Sequence, residues 1–551
     1  MNSNPTTNSQ ASPIIVRQFR QIVLWPLQLV SYQLGRKLQR HWEALEQLTQ
    51  DNAWSELTDE FSCRPEEFQE RHYKEFVTFL PYVQRFLYGE YAVGGLATRA
   101  GEPSIRTYRR SDIAKTRLTY DDNVSVEFAV AHVDLHFFLD ADVIILAFEI
   151  AGNELSLSRV QDTLFRFGRA YPAFWDRDGA GGNCLRRVEW LSDKGVTLCA
   201  SDYEDRARYL VHVGRHRAPR FAAHWEYLLK PLIPEYADEN GPLRYRQLEY
   251  YRMPLMSYLA VDDPTQLSRA DFVRLGLVTR PAGDDVLPYS ETSLAEFEAQ
   301  YCDDRFWLRN DRAVSGNTRL VCAGNGFSAI GEADDRFYVG RETGFLGQFR
   351  HQYFLLFLIA HFHKAALLSL SDRLAFAMSR LEIGDTDSVR EFKRHIRQSM
   401  EIFLRFSHRY WFHEVSNQPL ARDVFRRIVS QLGNETLYEE VRLEVQDMNN
   451  YLDSDSLRRQ ANTVLRLTVV TILGLIGTVA TGFLGMNLLA AADEPLTVRI
   501  VVFTITLVFT AIITIYSVVK SKRLADFLDS LSDERVPWSE KWRALRPSKK
   551  R

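Results

Sequence analysis

The sequence predicts an α+β soluble body joined by a long stalk helix to two membrane-spanning helices at the C-terminal end. Three observations carry this expectation. Residues 467–486 and 500–519 form two runs of twenty residues without a charge. Residues 124–150 hold β-branched and aromatic runs around the turn "LDAD". Between them and the charge-free runs lies an acid-rich segment with helical apolar spacing.

Composition is compatible with a large soluble part. Of 551 residues, 46% are apolar and 25% charged, ample for a globular core of several domains. The formal net charge of -3 argues against nucleic acid as a partner. Five cysteines (Cys63, Cys184, Cys199, Cys302, Cys322) are dispersed and include no CxxC pair, so the reading is a reducing compartment without a disulfide frame or zinc knuckle. Residues 1–13, "MNSNPTTNSQASP", lack a basic and then apolar pattern and are expected to form a disordered tail rather than a secretory signal.

Residues 14–110 mix aromatics with helical spacing, and a helical N-terminal region is expected there. Residues 111–345 read as an α/β cytoplasmic domain. In it, "VSVEFAVAHVDLHFFLDADVIILAFEI" is a hairpin and "SLSRVQDTLFRFGRAYPAF" a helix. Residues 240–345 read as irregular, punctuated by Pro and Gly. Residues 346–466 are expected to be helical, ending in the stalk. There Leu437, Val441, Val445, Met448 and Leu452 recur at steps of three and four and share one face. Acidic residues lie between them, among them Asp447 and Asp453. These two are candidates for a regulatory metal site, against the plainer reading of a solvated acidic face.

A helix of about 20 residues crosses a hydrocarbon core of about 30 Å. Two such runs side by side favour membrane spans over buried soluble helices. Arg458, Arg459 and Arg466 precede the first run, and Lys520, Lys522 and Arg523 follow the second. The positive-inside rule then puts both termini in the cytoplasm, with residues 487–499 as an external loop and 520–551 as a basic cytoplasmic tail. The location expected is the inner (plasma) membrane. Residues 353–360, "YFLLFLIA", run into His361, His363 and Lys364, and read as a buried soluble helix.

The first span carries a candidate lining face: Val464, Leu467, Thr471, Gly474, Thr478, Thr481 and Gly485. Two helices cannot enclose a wide path, so a conduit needs several copies around one axis. Gly485-Met486-Asn487 closes the span. A ring of Asn487 amides could present carbonyl oxygens to a hydrated cation, which suits magnesium. Asp493 and Glu494 of the loop could concentrate cations at the mouth. The apolar inner end could gate by dewetting.

On these residues the chain resembles the CorA superfamily of divalent-cation channels and transporters. The family's usual Thr-Gly-Ile-Tyr-Gly-Met-Asn-Phe compares with "TGFLGMNL" at 481–488, and "DEPL" stands where many members have Met-Pro-Glu-Leu. Leu484 departs from the usual Tyr and Ile476 from a common Pro, and the cytoplasmic part is longer than usual. The resemblance is specific over about 437–523. It implies a CorA-like funnel, a homopentamer, a pore lined by the first span, selectivity at Asn487, a polar ring at Thr478 and an apolar constriction near Val464 and Leu467. The implied cargo is Mg2+, with Zn2+, Co2+ or Ni2+ as alternatives carried by relatives, and no resident cofactor.

Other constellations are weaker. His132, Asp134 and His136 alternate on one strand face and could bind a metal, though a polar strand face is the plainer reading. "GAGGN" at 179–183 reads as a loop rather than a phosphate cradle, and no GxxxxGK[ST], HExxH or GxSxG occurs. The chain is therefore not expected to be an enzyme, and transport would be passive. A second reading makes the large soluble portion a sensor of a small molecule or protein that opens the membrane part.

Overall fold

The computed structural model describes residues 13–30, 40–46, 53–57, 70–89, 104–238, 241, 243–248, 251–281, 287–307, 317–324, 326–382, 386–485 and 495–512. Two compact units divide the chain, Met1–Glu444 and Val445–Arg551.

The first unit opens with β1 (Ile15–Val30), then α1 (Trp42–Glu46), β2 (Trp54–Glu56), α2 (Glu70–Thr78) and α3 (Pro81–Tyr88). Next come β3 (Ile105–Arg110), β4 (Lys115–Thr119), β5 (Ser125–Phe138), β6 (Val143–Ser156), α4 (Leu157–Arg166), β7 (Arg187–Leu191) and β8 (Thr197–Ala200). They are followed by α5 (Arg206–His216), α6 (Ala223–Leu229), β9 (Ile233–Pro234), β10 (Arg244–Gln247), β11 (Leu255–Val261), α7 (Arg269–Leu277) and α8 (Glu291–Tyr301). The unit closes through β12 (Cys302–Phe306), β13 (Thr318–Ala323), β14 (Gly326–Glu332), α9 (Phe345–Gln348), a π-helical turn (Phe349–Tyr353), α10 (Phe354–Ser379), α11 (Thr386–Arg409) and α12 (Pro419–Leu432).

The strands form one sheet with the order β12-β13-β14-β11-β1-β6-β5-β4-β7-β8 among the described residues. β2 and β3 branch off β5, and β10 and β9 off β1. The mixed α/β body with long helices agrees with the predicted class. The β5–β6 hairpin forms where "LDAD" placed it, with Asp140 at φ 60 in the turn. The helix read after it is α4, capped by the Ser156 side chain accepting from the Arg159 N–H.

The helical reading of 14–110 is corrected at its start. β1 is a central strand paired antiparallel with β6 along its length and with β11 or β10 on its other edge. Residues 22–29 are all buried, so both faces are covered. A strand buried on both faces loses the alternation that marks a strand in sequence. Pro26 is tolerated because its edge toward β11 and β10 falls in the gap between those partners, after Val23 and before Leu27. The irregular reading of 240–345 is also corrected. Its Pro and Gly residues punctuate short strands and helices, and Gly324 at φ 57 turns β13 into β14.

Two aromatic clusters fill the interior. On one, Trp225 meets Trp25, Phe148, Phe167 and Trp190 at centroid distances of 5.4 to 6.4 Å. On the other, Phe138 of the hairpin stacks on Phe362 of α10 at 4.0 Å and 11°. By length and composition, the segment Phe345–Ser379 could cross a membrane, but 78% of its apolar window is buried. It is the core helix that residues 353–360 suggested. His363 sits within it and donates from Nε2 to the Tyr410 carbonyl at 2.6 Å; burial holds its imidazole down at about 3, hence neutral.

Gly433 alone joins α12 to α13 (Asn434–Gly485), which carries the stalk and most of the first charge-free run. At φ 66 it takes the left-handed conformation that glycine supplies without strain. The fully buried Asn434 donates its amide to the Ala360 carbonyl at 2.8 Å, pinning the start of α13 to α10. At 1.5 Å per residue this helix runs about 78 Å. Among the described residues the second unit holds the C-terminal part of α13 and α14 (Leu496–Ile512).

Candidate functional site

The candidate conduit begins with the face of α13. Val464, Leu467, Thr471 and Thr478 are exposed in the single chain, while Gly474 and Thr481 are half-buried. At about 100° per residue, these six fall within an arc of about 100°. Its centre is turned roughly 90° from Gly477. Gly477 is buried against α14, where a Cβ would collide with the Thr510 methyl. Nothing lies within 4 Å of a Cβ built at Gly474 or Gly482. Small-residue contact is thus spent on α14, and among the described residues the lining face is exposed at Val464, Leu467, Thr471 and Thr478.

Every described threonine of that face is bonded into its own helix. Thr471 donates to the Leu467 carbonyl at 2.8 Å, Thr478 to Gly474 at 2.9 Å and Thr481 to Gly477 at 2.9 Å. A hydroxyl has one proton to give. Once that proton is turned inward, only oxygen lone pairs remain to face outward. Such a surface solvates cations and offers nothing to anions. On α14, Thr504, Thr506 and Thr510 are bonded the same way.

Of the expected filter, Gly485 ends α13, and Met486 and Asn487 lie outside the described residues, as do Asp493 and Glu494. The tail at 520–551 and most of the N-terminal tail also lie outside them. Asp447 and Asp453 are both exposed on α13, with Asn449 donating to Asp453 at 3.3 Å. Six residues apart, they stand about 120° around the helix from each other. The fold does not bring them together within one chain.

His132 and Asp134 belong to a charge network in the sheet that includes residues with no sequence signature. Glu149, fully buried on β6, accepts from Arg20 of β1 at 2.7 Å and from Arg350 of the π-helical turn at 2.8 to 3.0 Å. His132 places Nε2 3.3 Å from Glu149 and Nδ1 3.1 Å from Asp134. Asp134 in turn holds Arg109 of β3 through two bonds of 2.7 and 2.8 Å. Burial alone would lower the His132 imidazole, but Asp134 and Glu149 outweigh it and hold it up at about 9. Burial would likewise raise both carboxyls. Arg109 and His132 keep Asp134 well below the carboxylate range, and His132 and Arg350 do the same for Glu149. His136 is the exception: burial pushes it down to about 4, and its Nδ1 lies 2.9 Å from the Thr107 hydroxyl. With these groups occupied by arginines and a hydroxyl, the polar-strand reading of 132–136 stands. Among the described residues no three His, Cys, Asp or Glu side chains gather as a metal site. The one available hint of the network was a lone Glu149 inside the apolar "VIILAFEI".

Residues 379–523 match a family model described as CorA-like Mg2+ transporter protein, which supports CorA superfamily membership. The match starts upstream of the stalk, taking in α11 and α12, and leaves residues 1–378 outside. No curated protein matches the chain.

Proposed function

Taking the chain as a CorA superfamily member through residues 379–523, a family of membrane-embedded divalent-cation transporters rather than enzymes, we propose that it is an oligomeric channel for magnesium. The observation that carries this reading is the inward-bonded threonine ladder at Thr471, Thr478 and Thr481 on a helix face exposed at Thr471 and Thr478. Several copies, five by the family resemblance, would turn that face to a common axis. There the threonine oxygens would line a wet path, and Val464 and Leu467 would narrow its inner end.

Asn487 would form the outer ring. Its amide oxygens replace outer-shell water around a hydrated ion, as suits a cation that sheds water reluctantly. Asp493 and Glu494 would raise the local cation concentration. A divalent ion moving inward down about 100 mV gains roughly 4 to 5 kcal/mol, so uptake needs no nucleotide. Since Asp447 and Asp453 diverge on one helix, a regulatory ion there would bridge two copies and bias them toward a closed state.

The test is cation flux into liposomes, with Mg2+, Zn2+ and Co2+ compared for the parent chain and Asn487→Ala. Mg2+ flux that depends on voltage and loses selectivity in the variant supports the proposal. A reconstituted oligomer impermeable to all three ions refutes it.

A further inference from the structure

Helix α5 presents a basic and apolar surface that is exposed among the described residues. Tyr209 is buried, and His212 and His216 pack against Tyr236 at 4.5 and 5.4 Å. Leu210 and Val211 (70%) are exposed on the sides turned away from Tyr209, and Val213, exposed too, lies beside the packed side. Around these stand Arg206, Arg208, Arg215 and Arg217, all exposed. Arg208 and Arg215 reach Asp202 and Asp238 only at 3.5 and 3.6 Å, and Arg206 and Arg217 have no ion-pair partner among the described residues. Apolar side chains ringed by guanidinium groups suit an acidic partner that brings apolar groups of its own.

The chain presents such a face. On α13, Glu439, Glu440, Leu443 and Glu444 are all exposed, Leu443 by 52%. They fall within an arc of about 140°. Among the described residues Glu439 is paired with Arg442 at 2.5 Å and Glu444 accepts from the Ser371 hydroxyl at 3.3 Å, while Glu440 and Glu444 have no cationic partner. In sequence and sheet topology α5 follows the edge strand β8, whereas α13 follows the helices α10 to α12. Two unlike patches on one chain are what a ring needs, because cyclic symmetry above two-fold joins different surfaces of neighbouring copies. We propose that α5 of one copy docks on the Glu439–Leu443–Glu444 face of α13 in the next copy. Val211 would meet Leu443, and Arg208 and Arg215 would meet Glu440 and Glu444. This rests on the oligomeric reading above and adds the surface that joins the soluble bodies.

The test uses the full chain in detergent, with Val211→Cys and Leu443→Cys combined. Oxidation is expected to give a ladder of inter-chain cross-links, absent from either single variant. Adding Arg208→Glu with Arg215→Glu should abolish the ladder, and adding Glu440→Arg with Glu444→Arg to that background should restore it. Native mass is read on the same samples. An intact oligomer without the ladder overturns the docking proposal while leaving the channel reading in place. A monomeric particle removes the oligomeric premise and the docking with it. Sedimentation with anionic phosphatidylserine vesicles that depends on Arg208 and Arg215, in an oligomer without the ladder, would reassign the face to lipid and also overturn the proposal.

Discussion

Arg350 grips Glu149 with two nitrogens, Nε at 2.9 and 3.0 Å and Nη2 at 2.8 Å, and so ties the π-helical turn to the centre of the sheet. The carboxylate is fully buried and also faces Arg20 and His132. Removing one partner from such a cluster leaves uncompensated charge in a poor solvent. Glu149→Gln is expected to cost about 3 to 5 kcal/mol, read as a lowered thermal midpoint of the solubilised chain. A midpoint equal to the parent's would show that the network adds no stability.

The pH dependence follows from the direction of the His132 shift. Its folded value, about 9, lies above the unfolded 6.5. Its contribution is therefore complete below about 6.5 and is lost as pH rises through about 9. The parent should lose stability between about pH 7 and pH 9, and His132→Gln should flatten that slope. Asp134 and Glu149, held low, act at the other end. Their contribution is complete above the ordinary carboxylate values and fades as acid protonates them.

Gly477 and Gly482 offer a matched pair of substitutions. Alanine at 477 would press on Thr510, whereas alanine at 482 meets open space. Gly477→Ala is expected to destabilise the solubilised protein by about 1 to 3 kcal/mol, with Gly482→Ala close to the parent. Equal midpoints for the two would place α14 elsewhere.

Thr478 separates an oxygen-lined path from a merely small-residue one. Thr478→Ser keeps the outward oxygen and Thr478→Val removes it at nearly constant volume. Under the channel proposal, Mg2+ flux into liposomes survives the serine and falls at least several-fold with valine. Equal flux in both would take the hydroxyl ring out of the conduction path.

Gly433→Ala should cost about 1 kcal/mol or more, because alanine pays for φ 66 in full. Space around the position is open, so the loss reports backbone strain at the α12–α13 corner rather than a clash.

Elements whose chemistry is local could be read from the sequence. The β5–β6 hairpin has its turn residues between two β-branched runs, and residues 353–360 were apolar but met two histidines and a lysine. β1 cannot be told from a helix in the sequence because burial on both faces erases its period. The strands after 240 are hidden in the sequence because each is short and the segment between them is broken by Pro and Gly. The charge network was invisible for another reason. Its members come from β1, β3, β5, β6 and the π-helical turn, up to 330 positions apart; the sheet register brings Arg20 to Glu149, and the packing of the π-helical turn adds Arg350. The C-terminal motif, by contrast, is contiguous, so its resemblance to a transporter family needed no fold at all.

The position of β1 also bears on how the chain is made. This first strand, largely apolar, finds its hairpin-side partner only when β6 is complete at residue 156, and its other partner only at residue 261. At ribosomal speeds of about 5 to 20 residues per second, that second wait lasts on the order of ten to fifty seconds. Throughout it a sticky nascent segment must be kept from pairing with its neighbours on a polysome. Synthesis of this protein should accordingly lean on chaperones that hold the emerging β1 until residue 261 has been made.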